Sequence, residues 1–129
     1  MKKMITIFII LFSTSYSFNC FAEWKKITTS NKGDLTYYIE DNNIRFNNGF
    51  VYWWQLTDNV TPTHDGFYST KLYLQGDCNL FRIKALEFFG HFKQMGNGSY
   101  NQIKIPRKDW IYPPPNTGLN SILQSVCNY

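Results

Sequence analysis

Only the last stretch of this chain changes its period. From Trp24 onward, segment after segment alternates apolar and polar residues, the spacing of half-buried strands. Near the end, Leu119, Ile122, Leu123 and Val126 fall instead at i, i+3, i+4 and i+7. That spacing is one stripe of a helix of about ten residues, with Asn116 or Thr117 placed to cap it. So short a helix is marginal in water alone and must dock on something. The pattern predicts an α+β fold: an antiparallel β-sheet meander with one C-terminal helix packed on a face.

The strands follow from local chemistry. WKKITT (24–29) and LTYYIE (35–40) flank the turn signal Asn31-Lys32-Gly33-Asp34, and Asp41-Asn42-Asn43 breaks the second of them. Asn47-Asn48-Gly49 marks a hairpin into FVYWWQLT (50–57). On alternation, Tyr52, Trp54 and Leu56 share one face of that strand, and Val51, Trp53 and Gln55 the other. The polar loop 58–66 leads to a strand over 67–75, whose Tyr68, Thr70, Leu72 and Leu74 read as its buried face. Gly76-Asp77 offers a turn or a bulge before a further strand over 79–89, whose register blurs at Leu86–Phe89. MGNGS (95–99) is a glycine-rich turn, YNQIKI (100–105) a last strand, and Trp110 to Pro115 an extended link.

The first 22 residues read as a secretory leader. Lys2 and Lys3 form its positive end, Met4 to Phe12 an apolar run too short to span a bilayer, and Cys20-Phe21-Ala22 a cleavage site before Glu23. The competing reading, acylation of Cys20, wants small residues before the cysteine, where Ser17-Phe18-Asn19 stand. The expected mature domain is 23–129, with no transmembrane segment. It keeps Cys78 and Cys127, which in an exported chain allow one intramolecular pairing, tying the helix to the sheet. The alternative, Cys78 as a nucleophile, needs a free thiol and a histidine base within reach.

Charge and motifs exclude several functions. Of 13 Lys and Arg, Lys2 and Lys3 leave with the leader, so eleven basic side chains face nine acidic ones. That small excess is spread along the chain and lacks the clustered footprint of a nucleic-acid binder. No phosphate loop or serine elbow is present. His64, His91, Asp65 and Asp58 lack the paired spacing of a zinc site, so neither a metal nor catalysis is expected. The binding candidates are aromatic. Trp53 and Tyr73, if both lie on an uncovered sheet face, would form a recognition platform. Lys71, Arg82 and Lys84, on adjacent strands, would form a small basic stripe beside it.

The ordered features also resemble a known family. They are the leading Trp24, Tyr52-x-Trp54-x-Leu56-x-Asp58, Ser69-x-Lys71, Asp77-Cys78, Met95-Gly96-x-Gly98, Trp110 before a proline link, and the final Cys127. Together they resemble the surface-adhesin protein E family of Gram-negative bacteria. The resemblance implies a small sheet with its helix pinned by the two cysteines, in an exported, non-enzymatic binding protein of the cell envelope. Its best-studied member is an adhesin for host matrix and serum proteins such as laminin and vitronectin. That member self-associates, so a homodimer is implied as a possible state, and it is linked to haem, for which His91 is the candidate axial ligand. This chain departs from the family in the link Pro113-Pro114-Pro115-Asn116-Thr117, which usually reads Pro-Gly-Ser. It departs again in its poor acylation site. The second departure keeps an alternative in view: a periplasmic inhibitor or envelope accessory protein that binds a soluble enzyme or a small ligand such as haem.

Overall fold

The computed structural model describes residues 22–129. The expected leader, with Cys20, lies outside them except for Ala22. Among the described residues there are seven strands: β1 (Lys25–Thr29), β2 (Leu35–Ile39), β3 (Arg45–Asn47), β4 (Phe50–Asn59), β5 (Ser69–Asp77), β6 (Arg82–His91) and β7 (Tyr100–Gln102). One helix, α1 (Gly118–Cys127), follows. The strands form one antiparallel sheet in the order β1-β2-β4-β5-β6-β7, and β3 pairs with β4. This is the expected meander with its terminal helix.

Each junction has a local cause. Asp41–Asn43 make a single 3₁₀ turn, so the edge beside β4 is occupied by β2 at Gln55–Asn59 and by β3 at Phe50–Tyr52. The β3–β4 hairpin turns at Asn48 (φ 50°) and Gly49 (φ 83°), the left-handed pair that a two-residue hairpin requires. Thr117 caps α1 by accepting a hydrogen bond from Asn120 N at 3.2 Å. The two outer strands make poor templates for pairing. β1 has a register shift at Ile27 and carries Lys25 and Lys26, and β7 is three residues long.

The core lies between α1 and one face of the sheet. Ile122, Leu123 and Val126 are fully buried against Ile39, Val51, Trp53, Leu74 and Ile83. Burial of each such side chain stabilises the fold by about 1.5–3 kcal/mol. Gly76 has a different use from the turn or bulge expected of it. β5 runs through Gly76 to Asp77, and a Cβ on Gly76 would meet Trp53 at 2.8 Å, Val51 at 2.9 Å and Leu123 at 3.0 Å. The missing side chain is the space into which the helix and Trp53 settle. The irregularity falls across the ladder instead. Tyr73 pairs with Glu87 and Leu74 with Ala85, so Leu86 is the extra residue of a bulge in β6.

The turn itself comes after Asp77. The Asp77 carboxylate accepts hydrogen bonds from Asn79 N and Leu80 N, both at 3.1 Å, and from Arg82 Nε at 3.0 Å. The bond from Leu80 leads in holding this carboxyl below its ordinary pKa, and Arg82 adds to it. Cys78, beside it, is disulfide-bonded to Cys127 at the end of α1.

Two outcomes follow from this packing. Gly76→Ala should cost about 1–3 kcal/mol by overpacking, read from urea unfolding of the oxidised protein. Replacing both Cys78 and Cys127 by serine opens a closure of 49 residues. In the chain-entropy model that should cost about 4 kcal/mol, and hydrogen exchange should show α1 losing protection before the central strands.

Candidate functional site

The face of the sheet turned away from α1 carries a diagonal row of aromatic rings. Alternation along β4 sends Trp53 under the helix and Trp54 to this opposite face. Trp54 pairs in register with Tyr73 of β5, and their ring centroids lie 5.0 Å apart. Tyr52 extends the row on one side, 6.3 Å from Tyr73. Phe89 extends it on the other, 6.0 Å from Trp54, and Tyr100 of β7 follows at 5.9 Å from Phe89. His91 closes the row at 5.3 Å from Tyr100. The contacts cross strands at the offset and tilted spacings that aromatic pairs prefer.

Two hollows open beside this row. One, of about 350 Å³, is lined by Ala22, Trp24, Glu40, Trp54, Lys71, Phe89, His91 and Tyr100. The second, of about 200 Å³, is lined by Glu40, Asn43, Arg45, Trp54 and Tyr73. Trp54 and Glu40 therefore form a wall common to both. The Lys71 ammonium stands over the Trp24 ring, 5.7 Å from its centroid. Lys71 is also held from behind, because a Cβ on Gly96 (φ +68°) would collide with its Cε. Glu40 is held through its backbone N–H, which donates to Trp54 O at 3.1 Å, and through its carboxylate, which accepts from Asn43 Nδ2 at 2.6 Å.

Several expectations for the binding surface change here. Trp53 is 0 % exposed, because α1 covers its face, so it is a core residue and not part of a platform. Trp53 and Tyr73 lie on opposite faces: the register sets Trp53 beside Leu74, and Trp54 beside Tyr73. Tyr73 keeps its place on the uncovered face with Trp54 as its neighbour. Lys71, Arg82 and Lys84 share that face through their pairing with Phe89, Asp77 and Gln75, but they form no continuous stripe. Tyr73 and Glu87 intervene. Arg82 and Lys84 both stand over Trp110, each 4.4 Å from its centroid, and Phe50 stacks on the same indole at 5.7 Å. Arg82 is further bound to Asp77, so these two cations clamp the Trp110 link to β6. Sequence reading did not place Trp24, Glu40, Trp54, Phe89 and Tyr100 in the site. The detectable signal was the cross-strand match of Trp54 with Tyr73 on the face away from the helical stripe.

The two histidines differ in exposure. His64 is fully exposed in the β4–β5 loop, 3.7 Å from Asp65. His91 is 5 % exposed, and its Nδ1 is buried without a hydrogen-bond partner. An axial haem ligand needs a ring nitrogen open to the iron. Tyr100 lies against the His91 ring and Nδ1 is sealed, which leaves Nε2 as the ring nitrogen a haem would need. Among the described residues no helix is long and apolar enough to cross a membrane.

Burial holds the His91 imidazole below its ordinary pKa of 6.5, and the Lys71 charge adds to this; a hydrogen bond to the Asn97 backbone acts the other way. The unfolded chain then takes up this proton before the folded one does. Stability should fall as pH drops below 6.5, in the window between the unfolded and folded values. Urea melts between pH 7.5 and 5 should show this slope in the native protein, and His91→Gln should flatten it. Asp77 acts in a lower window, because its contribution is held above its ordinary 3.8 and is lost as pH falls through its depressed folded value.

Comparison with solved structures gives the same fold. The selenomethionine form of Haemophilus influenzae protein E matches with a TM-score of 0.61 at 19% identity, over 80% of this chain and 85% of that one. A second crystal form of that protein matches with a TM-score of 0.59 at 20% identity, over 71% of this chain and 80% of that one. Protein E from non-typeable H. influenzae matches with a TM-score of 0.56 at 17% identity, over 80% of this chain and 75% of that one. No curated protein sequence matches the chain. Residues 24–128 match the family described as Surface-adhesin protein E, and the chain belongs to that family.

Proposed function

We propose that this chain is an exported surface adhesin that engages host extracellular-matrix or serum proteins through the aromatic face of its sheet. The observation that carries the reading is the row Tyr52–Tyr73–Trp54–Phe89–Tyr100, left uncovered by α1 on a domain of an adhesin family. Tyrosine and tryptophan supply large, rigid contact area at low entropic cost, and they are enriched among the residues that dominate binding energy. The Lys2/Lys3 leader and the Cys78–Cys127 bond both suit an oxidising compartment outside the cytoplasm. The poor acylation site before Cys20 favours a second reading, a periplasmic protein that captures a soluble partner with the same face.

Cell fractionation with protease treatment of intact cells separates the two. Surface display should leave the chain accessible to added protease, whereas a wholly periplasmic, protected chain overturns the adhesin reading. With display established, binding to immobilised laminin and vitronectin should drop at least about tenfold in Trp54→Ala and Tyr73→Ala. Unchanged binding in both variants removes the aromatic face from the account.

A further inference from the structure

The two hollows share Trp54 and differ in balance: the larger is walled mainly by apolar surface, the smaller mainly by polar surface. Each has aromatic walls, each takes a basic side chain (Lys71 in the larger, Arg45 in the smaller), and both share the Glu40 carboxylate at their common rim. Among the described residues, neither Lys71 nor Arg45 forms an ion pair with Glu40. The larger hollow, at about 350 Å³ with Ala22 as one wall, is of small-ligand size, and the expected cleavage after Ala22 removes none of its aromatic or charged lining residues. Any occupant must meet three demands at once. It must present an apolar face to Trp54 and its neighbours, accept hydrogen bonds from a cation, and donate one to a carboxylate.

A peptide aromatic or a proline meets only the first demand, and would cover Lys71 and Glu40 without pairing them, at a desolvation cost. An anion meets the demand of Lys71 but is repelled by Glu40. A cation is welcomed by the indoles and Glu40, but Lys71 already holds the face of Trp24. A hydroxylated saturated ring meets all three. Its C–H face packs on an indole, and each hydroxyl both donates and accepts. Because Trp54 and Glu40 line both hollows, an occupant of more than one ring can extend from one hollow into the other.

We propose that this groove is a glycan-binding site, in which successive pyranose rings lie against the aromatic row while Glu40, Lys71 and Arg45 read their hydroxyls. The inference rests on the adhesin reading and deepens it: the groove takes the carbohydrate of a host glycoprotein or glycolipid. The shared chemistry is the pyranose, and the carrier is left to experiment.

The test uses the exported chain as recovered from cells, on an array of neutral, N-acetylated and acidic oligosaccharides. Tryptophan-fluorescence titration then follows with whichever free oligosaccharides are retained. Saturable binding is expected, weakened at least about tenfold in Trp54→Leu and by about threefold or more in Lys71→Met. Lys71→Met keeps the apolar stem and removes only the charge, and near-UV circular dichroism checks that each variant is folded. Binding to immobilised laminin before and after enzymatic deglycosylation, and to glycolipid vesicles, identifies the carrier. Absence of any retained glycan, or glycan binding untouched by both substitutions, overturns the proposal. So does full binding of the deglycosylated protein when Trp54→Leu abolishes it, a result that leaves adhesion standing and assigns the groove to peptide. If the native chain binds neither form of laminin nor any vesicle yet retains glycans, the host-protein reading fails and the glycan site stands.

Discussion

The seating of a ten-residue helix on one face of the sheet is the contact on which the rest of this molecule depends. A helix of that length holds its shape only where tertiary packing supplies what its own hydrogen bonds cannot. Here the support has three parts. Ile122, Leu123 and Val126 are buried in the core, Gly76 leaves room for Leu123 and Trp53 to approach, and Cys127 is bonded to Cys78. The sheet depends on the helix in return. One face of the central strands β4 and β5 would otherwise show Val51, Trp53 and Leu74 to water.

The same contact decides what the other face can do. Trp53 and Trp54 are neighbours in sequence with opposite fates, one sealed beneath α1 and one beside Tyr73 and Phe89. The helix takes up one tryptophan as core, and the strand's pleat delivers the other to the open face. Charges on that surface divide in a similar way. Arg82 and Lys84 are engaged by Trp110 and Asp77 and serve to hold the proline-rich link, while Lys71 is held over Trp24 within the larger hollow. Residue type alone does not separate these roles. Position along the twisted sheet does.

Much of the fold was legible in the sequence because its signals are local. The helical stripe, the Thr117 cap, the Asn48-Gly49 hairpin and the blurred register at Leu86 each rest on spacing or on a turn residue, and each has its counterpart in the structure. The cysteine pairing followed from counting. Less was legible where the answer depends on which of two faces the helix covers. Alternation divides Trp53 from Trp54 without saying which is inside, and Gly76 reads as a turn or a bulge until Leu123 is known to press on it from a segment 47 positions later. The site was harder still. Trp24, Glu40, Trp54, Phe89 and Tyr100 come from separate segments and meet only through the register of five strand pairings.

The edges of this sheet carry a consequence for the manner of recognition. One outer strand is dislocated at Ile27 and begins with two lysines, and the other ends after three residues. Neither offers the long row of backbone groups onto which a foreign strand could be laid. The flat of the sheet is open as well, and on the function proposed above it would meet a visitor by the shape and chemistry of its surface and not by its main chain. A protein that meets the world in this way need not ask its partner to be a polypeptide at all.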